Sequence, residues 1–159
     1  MEYGPRALGS RSIVARAIEK DINKTLNKRL NRTEFMPFAP FTLEKYAHTY
    51  YKGWKPEHLA SRFMTVCYDC TELANRQSPG IVHVDNTARP QIINESDHSL
   101  YYNLLTEYYE LTGIPTLINT SFNNHEEPIV CTPSDAIESL LLDNIDYVIM
   151  EEFVVKKKT

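Results

Sequence analysis

The sequence predicts an α/β domain built on a mixed sheet. Stretches of helical period alternate with short extended runs, turn signals separate them, and size and composition suit one globular unit. The chain has 159 residues, 42% of them apolar and 24% charged, enough for a single core. Each element then follows from local chemistry. Across residues 14–30, Ile18, Ile22, Leu26 and Leu30 recur at every fourth position with Lys20, Asn23, Lys24 and Asn27 between them, which predicts one amphipathic helix. Pro37 and Pro40 forbid helix and favour extended chain around Phe38. Residues 42–51 suit a short helix. RFMTVCY (62–68) reads as a strand from its β-branched and aromatic residues. Residues 71–80 are polar and end in Ser-Pro-Gly, a turn signal. GIVHV (80–84) and RPQII (89–93) read as extended. A helix is predicted over 98–111, capped by Ser96 or Asp97, with Leu100, Leu104, Tyr108 and Leu111 on one face. IPTLINT (114–120) reads as a buried strand. Thr132-Pro133-Ser134-Asp135 is a capping box with proline at the first helical position, opening a helix to about residue 142. Residues 146–155 read as a final strand or hairpin. No internal repeat or low-complexity linker interrupts this order.

Composition removes several function classes. The formal net charge is −4, so no argument for non-specific nucleic-acid binding rests on the total. No apolar run approaches the roughly 20 residues a bilayer span needs. The N-terminus lacks the charged-then-apolar pattern of an export signal, and three cysteines suit a reducing compartment better than a disulfide framework. The reading is a cytoplasmic domain without a membrane partner. Its opening, MEYGPRALGSRSI, is dense in loop chemistry, as if cut from a longer chain.

Two polar clusters fall on this scaffold. The strand over 114–120 runs into Asn119-Thr120-Ser121 and then Phe122-Asn123-Asn124. Carboxyl ends of strands in α/β sheets face the crevice where ligands bind, and short amides and hydroxyls orient a polar ligand rather than fill a core. The same residues also fit Asx turns and caps. The second cluster is cationic. Arg6 and Arg11 sit in the opening loop, Lys28, Arg29 and Arg32 near the end of the first helix, and Arg89 in HVDNTARPQ. Guanidinium forks suit phosphate or carboxylate oxygens, whereas Lys28 and Arg29 also fit a helix C-terminus by charge alone.

The segments MEYGPRALGSRSI, RTEFMPFAP, HVDNTARPQ and LINTSFNNHEEPIVCTPSDAI closely resemble four motifs of the carbamoyltransferase family, which includes the nodulation-factor and tobramycin carbamoyltransferases. The motifs occur in the family's order over nearly the whole chain. The resemblance is to the family's C-terminal domain. It implies a YrdC-like fold: a twisted mixed sheet flanked by helices, in a single domain. It also implies an N-terminal domain of the actin-like ATPase fold, carrying iron, that precedes this region and is absent here.

The chemistry implied by the resemblance has two steps. The YrdC-like domain joins ATP, accompanied by Mg, and carbamoyl phosphate into carbamoyl-adenylate, releasing pyrophosphate. The N-terminal domain then passes the carbamoyl group to a hydroxyl acceptor. Ser121-Phe122-Asn123 matches the family's Ser-x-Asn pair, and Arg32 matches the arginine of its Lys-x-Arg pair. Arg6, Lys28, Arg29, Arg32, Arg89, Asn119, Ser121 and Asn123 are therefore the expected ATP and carbamoyl-adenylate contacts, with no residue needed as a nucleophile. Such chemistry relies on positioning and fixed positive charge. Two positions depart from the pattern. Leu30 stands where the lysine of Lys-x-Arg belongs, and Met36 where many members have arginine; Lys28 or Arg29 swinging in would compensate. ATP, carbamoyl phosphate and the N-terminal domain are the implied partners, with room for a homodimer and none for a membrane.

The remaining features have plainer readings. Cys67 and Cys70 form a lone C-x-x-C without the further ligands zinc requires. His83 suits a pocket wall or a hydrogen-bonded core position. Tyr101, Tyr102, Tyr108 and Tyr109 suit packing more than base stacking. The alternatives to an enzyme are a nucleotide- or RNA-binding module without catalysis and a structural clamp for the partner domain.

Overall fold

The computed structural model describes residues 7–32, 37–97 and 99–158, although the side chain of Ser99 is outside the description. A four-stranded sheet organises the chain in the order β1-β6-β2-β5. Strand β1 (Ser12–Ala15) pairs antiparallel with β6 (Thr116–Ser121), β6 pairs antiparallel with β2 (Ala39–Leu43), and β2 pairs parallel with β5 (Gln91–Ile93). The sheet is mixed, as the sequence predicts. Its register sets the site: Ser12 lies opposite Ser121, Val14 opposite Asn119, Ala39 opposite Asn119, and Phe41 opposite both Leu117 and Gln91.

Side chains alternate across a strand, so the two sheet faces have different sequences. Leu117, Phe41, Leu43 and Ile93 face helix α4 (Ser99–Thr112) and pack with Leu105, Val14 and Tyr101. The opposite face places Ile118, Phe38, Ile13 and Ile92 against Leu26 and Leu30 of the α1 region and the rest of the main core. Beneath that face, Thr42, Tyr51 and Thr116 form a fully buried hydroxyl chain. Thr116 Oγ1 donates to the Phe41 carbonyl (3.0 Å), and Thr42 Oγ1 sits 2.8 Å from Thr116 Oγ1 and 2.7 Å from the Tyr51 hydroxyl. With its own proton on the carbonyl, Thr116 must accept from Thr42, and Thr42 from Tyr51.

Several predicted elements change character. The helix expected over 14–30 forms only as α1 (Ile22–Arg29), and residues 12–15 are strand β1 instead. Pairing along β6 wins over the fourfold spacing; Ile18, the first residue of that spacing, is left exposed. Asn23 pins α1 in place: its Nδ2 donates to the Gly80 carbonyl (2.7 Å), and its Oδ1 accepts from the Phe38 amide (3.4 Å). RFMTVCY is mostly not strand. Leu59–Phe63 forms a 3-10 turn, held as Ser61 Oγ donates to the His58 carbonyl and Thr65 Oγ1 to that of Ala60, and only Tyr68–Asp69 is strand (β3), paired with β4 (Thr87–Ala88). GIVHV begins inside a second 3-10 turn, Pro79–Ile81.

Short helix α2 (Glu44–Tyr50) matches expectation, whereas α3 (Glu72–Gln77), capped by Thr71 Oγ1 accepting from the Ala74 amide (3.3 Å), lies within the predicted polar turn region. Helix α4 buries Leu105, so of the predicted face Tyr108 packs inward while Leu100, Leu104 and Leu111 point outward. Its tyrosines do pack: the Tyr46 and Tyr109 rings lie 4.4 Å apart and Tyr101 lies 5.6 Å from Phe41. Ser96 and Asp97 both bond Asn94, and the predicted cap of α4 falls beside residue 98, which is outside the described residues. Helix α5 (Pro133–Leu141) has the predicted capping box at Thr132 and Asp135, and the chain closes in the hairpin β7 (Val148–Met150) and β8 (Phe153–Val155). Among the described residues no helix is long and apolar enough to cross a membrane.

Candidate nucleotide and carbamoyl site

Three of the expected contacts, Arg32, Asn119 and Ser121, meet at one end of the sheet, formed by the C-terminal end of β6 and the N-terminal ends of β1, β2 and β5. Arg6 and Met36 lie outside the described residues. Asn119 is 1% exposed; its Nδ2 donates to Gln91 Oε1 (2.7 Å), and Gln91 Nε2 donates to the Leu8 carbonyl in the opening loop (3.2 Å). Oδ1 of Asn119 is buried and has no hydrogen-bond partner among the described residues. Ser121 is half-buried on the same face, opposite Ser12, whose hydroxyl accepts from the Gly9 amide (3.1 Å). The turn beneath them needs glycine. Gly9 has φ +112°, and a Cβ there would stand 3.0 Å from the Tyr101 ring.

Arg32 approaches from the other face. Its guanidinium lies 4.7 Å over the Phe38 ring and donates through Nη2 to Thr120 Oγ1 at a long 3.4 Å. Burial pulls its pKa below the ordinary arginine value, and no carboxylate pairs with it among the described residues. It stays charged at any physiological pH, and no anion among the described residues answers its desolvation. A ligand touching both Arg32 and Asn119 must lie across the end of β6, because the sheet puts them on opposite faces.

The neighbouring cations are placed differently. Arg29 is committed: Nη1 and Nη2 each donate to a different Asp146 carboxylate oxygen at 3.0 Å, and Nε donates to the Asp143 carbonyl (2.9 Å). Lys28 is exposed and shares with Arg29 a groove between α1 and the end of α5, lined also by Thr25, Asn31 and Asn144. No residue of β6 lines that groove. Leu30, at the lysine position of the family pattern, is wholly buried in the main core. Arg89 is half-buried, two residues before Gln91. His83 lies close by, with Nδ1 3.2 Å from Thr87 Oγ1. Burial lowers the His83 pKa, Asp85 opposes the shift and the Arg89 charge reinforces it.

Asn123 lies beyond the strand, and its side chain turns into its own loop. Nδ2 donates to the carbonyls of Asn124 (2.8 Å) and Glu127 (3.2 Å). Phe122 between them is buried, as alternation predicts. Gln91, Thr120 and the Leu8 carbonyl are the members of this cluster that sequence reasoning missed. A glutamine heading the apolar strand Gln91–Ile93 is the signal that points to the first. Cys67 is exposed and Cys70 buried with its thiol pushed up to about 12, chiefly by desolvation, and no group of three or more metal-binding side chains exists among the described residues.

Residues 1–157 match the family model described as Carbamoyltransferase C-terminus. The chain belongs to that family. It is 39% identical over 157 residues to the uncharacterized protein MJ1051 of Methanocaldococcus jannaschii, covering 99% of this chain and 30% of that one. It is 35% identical over 162 residues to nodulation protein NolNO of Sinorhizobium fredii, covering 99% of this chain and 23% of the relative. The chain therefore spans less than a third of the length of these relatives. In fold it is similar to full-length HypF, solved in a phosphate- and nucleotide-bound form, with a TM-score of 0.59, 21% identity, and coverage of 82% of this chain and 20% of HypF. That likeness agrees with the expected fold class, a YrdC-like mixed sheet flanked by helices in one domain.

Proposed function

We propose that this chain is the carbamoyl-adenylate-forming part of an ATP-dependent O-carbamoyltransferase. Family membership supports the carbamoyl chemistry, and the nucleotide- and phosphate-bound state of HypF supports the ligand class. The observation that carries the reading is Arg32: a half-buried guanidinium with no carboxylate partner among the described residues, at the strand end that also presents Asn119 and Ser121.

The reaction consumes ATP, carbamoyl phosphate and water and yields carbamoyl-adenylate, pyrophosphate and phosphate. Water cleaves carbamoyl phosphate to carbamate and phosphate. A carbamate oxygen then bonds to the α-phosphorus of ATP as that phosphorus loses its bond to pyrophosphate. Arg32, with Arg89 and Arg6, holds phosphate oxygens and balances charge at the phosphorus, the fixed-charge stabilisation such transfers depend on. Asn119 and Ser121 orient the carbamoyl group. Magnesium would enter with the nucleotide and supply neutralisation of phosphate charge. The hydroxyl acceptor is assigned to a part of the longer family proteins outside the matched region.

Titration calorimetry with ATP, followed by exchange of labelled pyrophosphate into ATP, tests the proposal. The expected result is saturable ATP binding and exchange that requires carbamoyl phosphate. Absence of nucleotide binding by the intact protein overturns it.

A further inference from the structure

The amide pair Gln91–Asn119 has a direction that the backbone dictates. A carbonyl only accepts, so the Gln91 atom 3.2 Å from the Leu8 carbonyl is Nε2. Gln91 Oε1 then faces Asn119, which must offer its Nδ2, at 2.7 Å. Oδ1 of Asn119 is left pointing out of the pair, buried and without a donor among the described residues. Leaving a buried acceptor unmade costs more than a typical hydrogen bond returns, and native structures rarely do so without a reason. The anchor of the relay is rigid. Leu8 (φ 43°) and Gly9 lie in a turn closed by the Ser10 amide on the Ala7 carbonyl (2.9 Å) and the Gly9 amide on Ser12 Oγ.

We infer that Gln91 is a positioning residue that holds Asn119 with its carbonyl oxygen toward the ligand, so that the site selects the amino group of a carbamoyl unit over a methyl of similar shape. The inference rests on the proposed carbamoyl chemistry. Carbamoyl and acetyl phosphate have nearly the same outline and differ in NH2 against CH3. An acceptor facing that position bonds the first and is left unpaired by the second. The adenine amino group offers the same N–H chemistry, and comparison of ATP with inosine triphosphate separates the two.

The test measures dissociation constants of carbamoyl phosphate and acetyl phosphate on the intact protein loaded with α,β-methylene ATP, whose bridge cannot be cleaved. Wild type should favour carbamoyl phosphate by at least about a hundredfold. Gln91→Met frees the Asn119 amide to turn, and the preference should fall below about tenfold with nucleotide affinity unchanged. Gln91→Glu keeps an acceptor for Asn119 Nδ2, in a buried carboxyl that favours its neutral form, and should hold the preference within about threefold of wild type. Equal binding of the two phosphates by a wild type that binds nucleotide and carbamoyl phosphate overturns this inference alone. So does a Gln91→Met protein that binds nucleotide and keeps the full preference, or a Gln91→Glu protein that loses it. If Gln91→Met does not fold, the wild-type ratio and Gln91→Glu decide. A preference for ATP over inosine triphosphate that collapses in Gln91→Met reassigns the acceptor to adenine and overturns the carbamoyl assignment. Binding of neither ATP nor carbamoyl phosphate by wild type overturns the proposed function as well.

Discussion

Arg29 and Arg32 lie three residues apart, yet exchanging each for methionine should have opposite consequences. Arg29 makes a bidentate bridge to Asp146 and a third bond to the Asp143 carbonyl, tying α1 to the C-terminal segment. Its side chain is 27% exposed and that of Asp146 72%, so the ionic part is worth a surface pair, about 0.5–1 kcal/mol. The bond to a backbone carbonyl adds about 1 kcal/mol. Arg29→Met should therefore cost about 1–2 kcal/mol of stability and leave ATP affinity unchanged. Among the described residues Arg32 has the long Thr120 bond and the Phe38 ring, the latter worth about 0.5–1 kcal/mol, against the desolvation of a half-buried cation. Arg32→Met should leave stability within about 1 kcal/mol of wild type. Loss of one charge-assisted phosphate contact should weaken ATP by about 1.5–3 kcal/mol, or roughly 10- to 150-fold. Urea unfolding and one calorimetric titration per variant measure both quantities. An Arg32→Met protein that is strongly destabilised yet binds ATP normally would refute the reasoning and make Arg32 a structural residue.

Other perturbations separate packing from binding. Phe122→Ala should cost about 3–5 kcal/mol by lost burial and a cavity, with nucleotide binding retained in the folded protein, whereas Ser121→Ala should spare stability and weaken binding. Asn123→Ala should cost about 1 kcal/mol, because its amide closes a loop on two carbonyls; denaturant midpoints rank the three. Gly80→Ala should cost about 1–3 kcal/mol, since a Cβ would meet the backbone oxygens of Ala17 at 2.9 Å and Glu19 at 3.0 Å; a thermal midpoint at or above wild type would contradict the packing. His83, held below the ordinary histidine value of 6.5 by burial, binds a proton more readily in the unfolded chain. Stability should thus fall as pH drops below 6.5 and continue falling toward the folded-state pKa, and His83→Gln should flatten that slope in urea melts across the range.

The elements whose signals are local were legible in the sequence. The capping box at Thr132–Asp135 depends on four consecutive residues and forms as written. The strand Thr116–Ser121 was legible as a short buried run that passes into polar residues, and it is buried along its first four residues. Elements that depend on a distant partner were not legible. The fourfold spacing from Ile18 to Leu30 is genuine helical period, but the residues before it are taken by pairing with β6, more than a hundred positions away. On α4 the leucines suggested one face, and packing of Tyr101, Leu105 and Tyr109 against the β2 and β6 side of the sheet selected another, with Tyr108 shared between them. A helix rotated by one residue buries a comparable area, so composition alone does not choose between them.

The candidate site divides along the same line. The sequence by itself determined which residue types the candidate site offers: arginines in loops and a strand ending in amides and hydroxyls. These are written in contiguous motifs because each motif is one loop or strand end. Only the tertiary structure decided which arginine is answered by a carboxylate 117 residues later and which meets none among the described residues. Tertiary structure likewise placed Arg32 and Asn119 on opposite faces of one sheet and joined Asn119 through Gln91 to the Leu8 carbonyl. The physical reason is that an unpaired charge or an unfilled acceptor is a property of the surroundings rather than of the residue. Those surroundings come from segments far apart in the chain, brought together when the sheet closes.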